Sequence, residues 1–547
     1  MLADNNGGRA AGVASVLRIG VDVGGTNTDA VLMDGQRLIA FHKHPTTPNV
    51  SDGIVGAIRA ILTGSGPDLD RSPRNVAAVM IGTTHFTNAF VERRNLSPVG
   101  VMRIALPAAR GVPPLADWPQ DLVTAIGRNV HCIRGGYHFD GRINSPLDES
   151  AVADAARHMK AKGLECAAVC GLFSPVNAAM EERAAEIIAQ EAPGIAVTRS
   201  SQIGRIGLLE RENAAIMNAS LSGMAGEVVA AFAAALRSLG IEAPFFISQN
   251  DGTLMSAERV ARYPVLTFAS GPTNSMRGAA YLSGQSDALI ADIGGTTTDI
   301  GMLTGGFPRE SAMTSDIGGV RTNFRMPDLL SIGLGGGSLV RAEEGALRVG
   351  PKSVGYRLPQ QAQVFGGDTL TASDIAVAAG YARMGDPRRL VGLDPHLVAA
   401  GVAEIHRLLA EGLDRMKTSA ASVPLVLVGG GSVLIHRDLP GVSEVIVPPA
   451  AGVANAIGAS IAQAGGEVDR VYSYEQMGRE GAIALATEEA RRAAIEAGAT
   501  AASLRVVDVE ELPLAYVPGG AVRLRVKVTG ELAFTGAREP LEGRAGT

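Results

Sequence analysis

Two short stretches carry the same set of reactive groups in the same order: "DVGGTNTD" at residues 22–29 and "DIGGTTTD" at residues 292–299. Adjacent glycines allow backbone N–H groups to approach an anion closely, and threonine hydroxyls add donors toward phosphate oxygens. Gly24, Gly25, Thr26, Asn27 and Thr28 in the first copy, and Gly294, Gly295, Thr296, Thr297 and Thr298 in the second, are therefore candidate phosphate contacts. The leading carboxylates Asp22 and Asp292 would repel phosphate unless Mg²⁺ and its waters came between them. They are the candidate metal and catalytic aspartates. An isolated Gly-Gly-Thr turn is compatible with an ordinary tight hairpin. Two copies with matched positions imply duplicated half-domains that grip one nucleotide from both sides. The copies differ at one donor, Asn27 against Thr297.

Two further glycine clusters end apolar runs: "SIGLGGGS" at 331–338 and "VLVGGGSVL" at 426–434. A strand running into Gly429, Gly430, Gly431 and Ser432 offers flat backbone against an adenosine. The earlier cluster reads equally as a ligand loop or a packing turn. In "GTTHFTNAF", Thr83, Thr84, His85, Thr87 and Asn88 gather where a strand becomes a helix. N-capping explains part of that polarity; Thr83, Thr84 and Asn88 remain candidate substrate contacts and His85 a candidate proton-transfer residue. Glu210–Asn213 read equally as a cleft face or a solvated helix surface.

The elements that must position these groups follow from periodicity. Apolar "VLRIGVDV", the turn, "DAVLMDG" and "RLIAFHKHP" read as hairpin strands. A helix is expected over Val50–Leu62, capped by Asn49 or Ser51, then a strand at "VAAVMIG". Alternating strand and helix patterns continue, which gives an α/β fold with a parallel or mixed sheet. Residues 205–240 form one proline-free, alanine-rich helical pattern, read as the bridge between halves. The organisation expected is a disordered tail over 1–16, a first half-domain over 17–204, a second over 205–465, and a small α+β domain over 466–547.

Composition narrows the classes. The chain has 547 residues, is 46% hydrophobic and carries a net charge of −6, which gives no reason to expect a nucleic-acid partner. No apolar run approaches the roughly 18 residues of a membrane span. The N-terminus lacks a signal-peptide pattern. A cytoplasmic protein is expected. Three cysteines are too few for a disulfide framework. Cys166 and Cys170 fall on one face of a buried strand, as core packing predicts. His42, His44, His131 and His138, with Cys132 and Asp140, match no strong zinc spacing and read as exposed loop residues ahead of a metal cluster.

Taken together, "IGVDVGGTNTDAVL", "IGTTHFTNAFVERR", "RENAAIMNASL", "ISQNDGTLMS", "FASGPTNSMRGAAYL", "ADIGGTTTDIGML", "SIGLGGGSLV" and "VLVGGGS" resemble, in order, the hydantoinase A/5-oxoprolinase family. The resemblance runs from about residue 17 to 465. It implies two actin/Hsp70/sugar-kinase-like (ribonuclease H-like) half-domains around a nucleotide cleft. It also implies ATP and Mg²⁺ as cofactors, phosphorylation of a cyclic-amide carbonyl oxygen followed by ring opening, and a separate hydantoinase B-like partner in a heteromeric assembly. On that reading Asp29 and Asp299 either fix the hairpins or orient water. The segment 354–367 departs from the family's usual Pro-Gly-Pro pattern. A small-molecule kinase and a nucleotide-gated scaffold are the alternative functions within the same superfamily.

Overall fold

The computed structural model describes residues 16–533 except 25–26, 46–49, 64–69, 312–314, 324–325, 344–345, 437–438, 516 and 518. The opening apolar run is β1 (Leu17–Val23), followed by β2 (Asn27–Asp34) and β3 (Arg37–Pro45). Helix α1 has the expected bounds, Val50–Leu62; its cap candidate Asn49 and tail residues 1–15 lie outside the described residues. Strand β4 (Val76–Thr83) runs into the short helix α2 (His85–Val91).

A parallel four-stranded unit comes next: β5 (Val99–Leu106), β6 (Asn129–Arg134), β7 (Cys166–Gly171) and β8 (Ala196–Arg199), in the order β8-β7-β5-β6. Cys166 and Cys170 are both buried in β7, and burial pushes their thiols up to about 11 and about 12. They pack as core residues.

The alanine-rich pattern forms α3 (Leu208–Ser238). It is the spine of the first half rather than a bridge between halves. Arg211 to Leu221 are all buried, apolar and polar residues alike, so this stretch is enclosed by the core on every side. By length and composition it is also apolar enough to cross a membrane, yet it is packed within the first core cluster. The strands that follow it, β9 (Phe245–Ser248) and β10 (Leu254–Ser256), still belong to the first sheet. The chain crosses to the second half only through α4 (Ser270–Ser283).

There the opening grammar recurs. Strand β11 (Ala288–Ile293) pairs antiparallel with β12 (Thr298–Thr304), and β12 pairs antiparallel with β13 (Leu329–Ile332). After helix α5 (Pro395–Met416), β14 (Val423–Val428) lies parallel to β11, and β15 (Val442–Ile446) parallel to β14. The first half has the same plan, with β3, β2 and β1 antiparallel and then β4 and β9 parallel. The fold is therefore α/β and built from two duplicated halves.

Helix α6 (Ala454–Ile461) crosses α4 so closely that only glycine fits. A Cβ on Gly278 would lie 1.9 Å from Ala454 O, and one on Gly458 would lie 1.9 Å from Asn274 O. Similarly, a Cβ on Gly20 would meet Ala456 O at 2.1 Å, so α6 rests directly on β1. The C-terminal segment, expected as a small domain of its own, consists of β16 (Ala464–Ser473), α7 (Tyr474–Glu496), β17 (Arg505–Pro513) and β18 (Ala521–Gly530) and is joined to the first half. Its strands continue the first sheet to nine, in the order β17-β18-β16-β10-β9-β4-β1-β2-β3. Buried Ala482, Ala486, Ala490 and Ala494, spaced at four residues, give α7 its flat inner face.

Candidate functional site

Both glycine turns close in the same way. Gly24 N–H donates to Asn27 O at 3.0 Å, and Gly294 N–H donates to Thr297 O at 2.9 Å. Asp22 stands opposite Asp29 in register, and Asp292 opposite Asp299. Gly25 and Thr26 lie outside the described residues. The rear aspartates are each held by the residue facing them on the third strand. Lys43 donates to both Asp29 oxygens, at 2.9 and 2.8 Å, and Ser331 donates to Asp299. Of the two roles considered for them, fixing the hairpins is the one these contacts perform.

The leading aspartates sit differently. Asp22 is 5% exposed, and burial, then the charges of Asp29 and Asp292, push its carboxyl up to about 7; the hydrogen bond from Asn455, and after it the dipole of the nearby Asn274 amide, pull the other way. Asn455 Nδ2 donates to Asp22 Oδ2 at 2.9 Å, while Asp22 Oδ1 is buried without a partner. The packed surroundings of half-buried Asp292 push its carboxyl up to about 6, against a hydrogen bond donated by Ser275 to its Oδ2. Two opposing carboxyls that resist ionisation, one with a free oxygen, suit a divalent cation. Among the described residues no three His, Cys, Asp or Glu side chains converge as a complete metal cage. That donor set fits Mg²⁺, which takes one or two carboxylates and fills its remaining positions with water and phosphate.

The later glycine clusters brace the second hairpin by backbone contact. Gly336 N–H donates to Gly294 O at 3.0 Å and Gly337 N–H to Gly295 O at 2.7 Å, so the 331–338 cluster supports the turn from behind. A Cβ on Gly335 would lie 2.6 Å from Gly295 C and Thr296 N. Thr298 Oγ1 donates to Leu334 O at 2.7 Å. The departing segment joins this brace, with Val354 N–H donating to Gly337 O at 2.9 Å. From the other side Gly431 N–H donates to Ile293 O at 2.7 Å, and a Cβ on Gly429 would lie 2.3 Å from Asp292 Oδ1. Ser432 is buried, whereas Gly430, Gly295, Thr296 and Thr297 are exposed along the rim, and Gly430 faces open space.

The polar turn after β4 lies beside the first hairpin, because Gly82 and Thr83 pair with Asp22 and Val23. Thr83 Oγ1 accepts from His85 N–H at 3.1 Å, Thr84 Oγ1 accepts from Asn88 Nδ2 at 3.3 Å, and Ser270 Oγ donates to Thr83 O at 3.3 Å. Burial lowers the affinity of the His85 imidazole for a proton. Asn88 is exposed.

Other expectations change. Arg211 and Glu212 face neither solvent nor cleft: they are 0% and 1% exposed. Arg103 makes a two-pronged ion pair with Glu212, its Nε donating to Oε1 at 2.7 Å, and Arg211 Nε donates to Ser200 Oγ at 2.9 Å. The helix is enclosed, so each buried charge there is satisfied: Glu212 by Arg103, and Arg211 by Ser200 and the backbone carbonyls of Gly171, Arg205, Ile206 and Gly207. His42 and His44 neighbour each other on β3, while His131 lies by His158 rather than His138. Missed by the sequence were Asn274, Ser275 and Asn455, polar residues hidden in small-residue helices.

Two matched Gly-Gly-Thr hairpins, each rooted at an aspartate, thus occupy corresponding places in a duplicated α/β fold. Residues 18–192 match the hydantoinase/oxoprolinase N-terminal region and residues 211–386 match hydantoinase/oxoprolinase, together more than half of the chain, so it belongs to this family. Among curated relatives it is 28% identical over 396 residues to the acetophenone carboxylase gamma subunit of Aromatoleum aromaticum, covering 66% of this chain and 53% of that one. It is likewise 28% identical over 383 residues to the caprolactamase subunit alpha of Pseudomonas jessenii, covering 66% and 54%. The chain thus spans about half the length of these relatives. The solved ATP-dependent caprolactamase from Pseudomonas jessenii shares the fold, with a TM-score of 0.75 at 19% identity over 96% of this chain and 90% of that one. Acetone carboxylase in its nucleotide-free form also shares it, with a TM-score of 0.64 at 20% identity over the same shares.

Proposed function

We propose that this chain is an ATP-dependent subunit that transfers the γ-phosphoryl group to the carbonyl oxygen of a cyclic amide, such as a hydantoin, 5-oxoproline or a lactam. The observation that carries the reading is the opposed pair Asp22 and Asp292, each at the root of a Gly-Gly-Thr hairpin. An amide carbonyl is a poor electrophile. Once its oxygen attacks the γ-phosphorus, an O–P bond forms and the bond to ADP breaks. Water then adds to the activated carbon, the C–N bond breaks to leave an amine and an acyl phosphate, and a second water cleaves that acyl phosphate to the acid and free phosphate.

Phosphoryl transfer is governed by positioning and charge neutralisation. Asp22 and Asp292 would hold Mg²⁺, which supplies positive charge against the phosphates. Gly24–Thr28 and Gly294–Thr298 hold the phosphate groups, and Gly429–Ser432 lies against adenosine. His85, kept neutral by burial, accepts or donates the proton of the opening ring, with Thr83, Thr84 and Asn88 around it. A hydantoinase B-like subunit completes hydrolysis; the subunit names of the relatives support a partner.

The carboxylase names among those relatives favour one second reading, the same transfer directed at a ketone's enolate oxygen ahead of carboxylation. ATP turnover with the partner present separates the two. Stimulation by cyclic amides, with transient phosphate release followed by phosphorus NMR, supports hydrolysis; stimulation only by a ketone with bicarbonate supports carboxylation. A persistent phosphoester, or turnover indifferent to both panels, contradicts both readings.

A further inference from the structure

The two sides of the clamp are braced unequally. On the second hairpin, Asp292 accepts from Ser275 and Thr298 Oγ1 donates to Leu334 O. On the first hairpin Asn455 holds Asp22 Oδ2 as Ser275 holds Asp292, but Asp22 Oδ1 and Thr28 Oγ1 are buried and have no partner. Beside Asp22 lies Asn274, 0% exposed, with both its Nδ2 and its Oδ1 unpartnered. A fully buried amide with neither end bonded is rare, because folding strips its water and returns nothing. Bare Gly82 makes the gap between them: the point its Cβ would occupy is 2.3 Å from Asp22 Oδ1 and 2.5 Å from Asn274 Nδ2. Asn274 and Ser275 are consecutive on α4, the helix that links the halves, so one helix turn addresses both aspartates. That helix cannot shift without α6, which it meets at Gly278 and Gly458.

We propose that Asn274 is a positioning residue of the cation–nucleotide site. Its amide orders the water shell of the cation on the Asp22 side, while Ser275 fixes Asp292 before any ligand arrives. The first hairpin is then the side completed by ligand, and the second is prebuilt. The inference rests on the nucleotide reading above and adds to it a division of labour between the copies.

Asn274→Leu and Asn274→Ala test it through two readouts that do not need turnover. The first is the melting temperature of the ligand-free protein; the second is Mn²⁺ binding, followed by electron paramagnetic resonance, with a non-hydrolysable ATP analogue present. A positioning role predicts unchanged or higher melting temperatures, since an unpaired buried amide has been removed, and Mn²⁺ affinity weakened by about tenfold or more. Wild-type Mn²⁺ affinity in both variants overturns the proposal. So does a lower ligand-free melting temperature in both, which would make Asn274 a structural residue. Failure of the unaltered chain to bind the analogue at all removes the nucleotide reading itself, a result distinct from either.

Discussion

Asp22→Asn removes a charge that the fold resists and keeps the shape of the side chain. In the folded chain Asp22 holds its proton up to about 7, against 3.8 without the fold. The folded state therefore binds more protons between those values. The stability contributed by the protonated carboxyl is fully present below 3.8 and is lost as pH rises through about 7. At about 1.4 kcal/mol per unit, the ionised form at pH 8 costs at most about 4 kcal/mol, and about 2 if relaxation halves it. For a cooperative unit of this size about 1–2 °C accompanies each kcal/mol, so Asp22→Asn should melt roughly 2–8 °C higher at pH 8. At or below pH 3.8, where the carboxyl is protonated in the folded and the unfolded chain alike, the two proteins should melt within about 1 °C of each other. Asn455 keeps an acceptor, because the new amide oxygen can take its hydrogen bond. Ligand-free scanning fluorimetry at both pH values reads the difference. A variant that melts lower at pH 8, or gains equally at both pH values, would refute the claim that Asp22 is held against ionisation.

Further expectations follow from packing and pairing. Gly458→Ala should destabilise the fold by roughly 1–3 kcal/mol or prevent folding, because its Cβ would meet Asn274 O at 1.9 Å; denaturant unfolding checks it. Arg103→Ala should cost about 3–5 kcal/mol by stranding the buried Glu212 carboxylate, and a double replacement of Arg103 and Glu212 by apolar residues should recover much of it. In the native protein a disulfide reagent should modify Cys132, which is exposed, and reach Cys166 and Cys170 only after denaturation.

The hairpins were legible because a turn that needs glycine beside a carboxylate leaves a local signature, and two copies made it specific. The Val50–Leu62 helix was legible for a similar reason, since amphipathic period and bounds lie in contiguous sequence. The role of α3 was not, because an apolar helix reads the same whether it links halves or fills one; only the pairing of β9 with β4 decides. The 331–338 cluster stayed ambiguous because its partners, Gly294 and Gly295, are brought to it by the fold. Asn274, Ser275 and Asn455 carried least signal. A polar residue in a small-residue helix gains meaning only when a distant aspartate arrives beside it.

The central claim is that both hairpins close on one nucleotide. Calorimetric titration of the chain with a non-hydrolysable ATP analogue and Mg²⁺, repeated for Asp22→Asn and Asp292→Asn, tests it most directly. The account predicts one site per chain, lost or weakened by about tenfold or more in each variant separately. Wild-type affinity in either variant, or two independent sites, would contradict it.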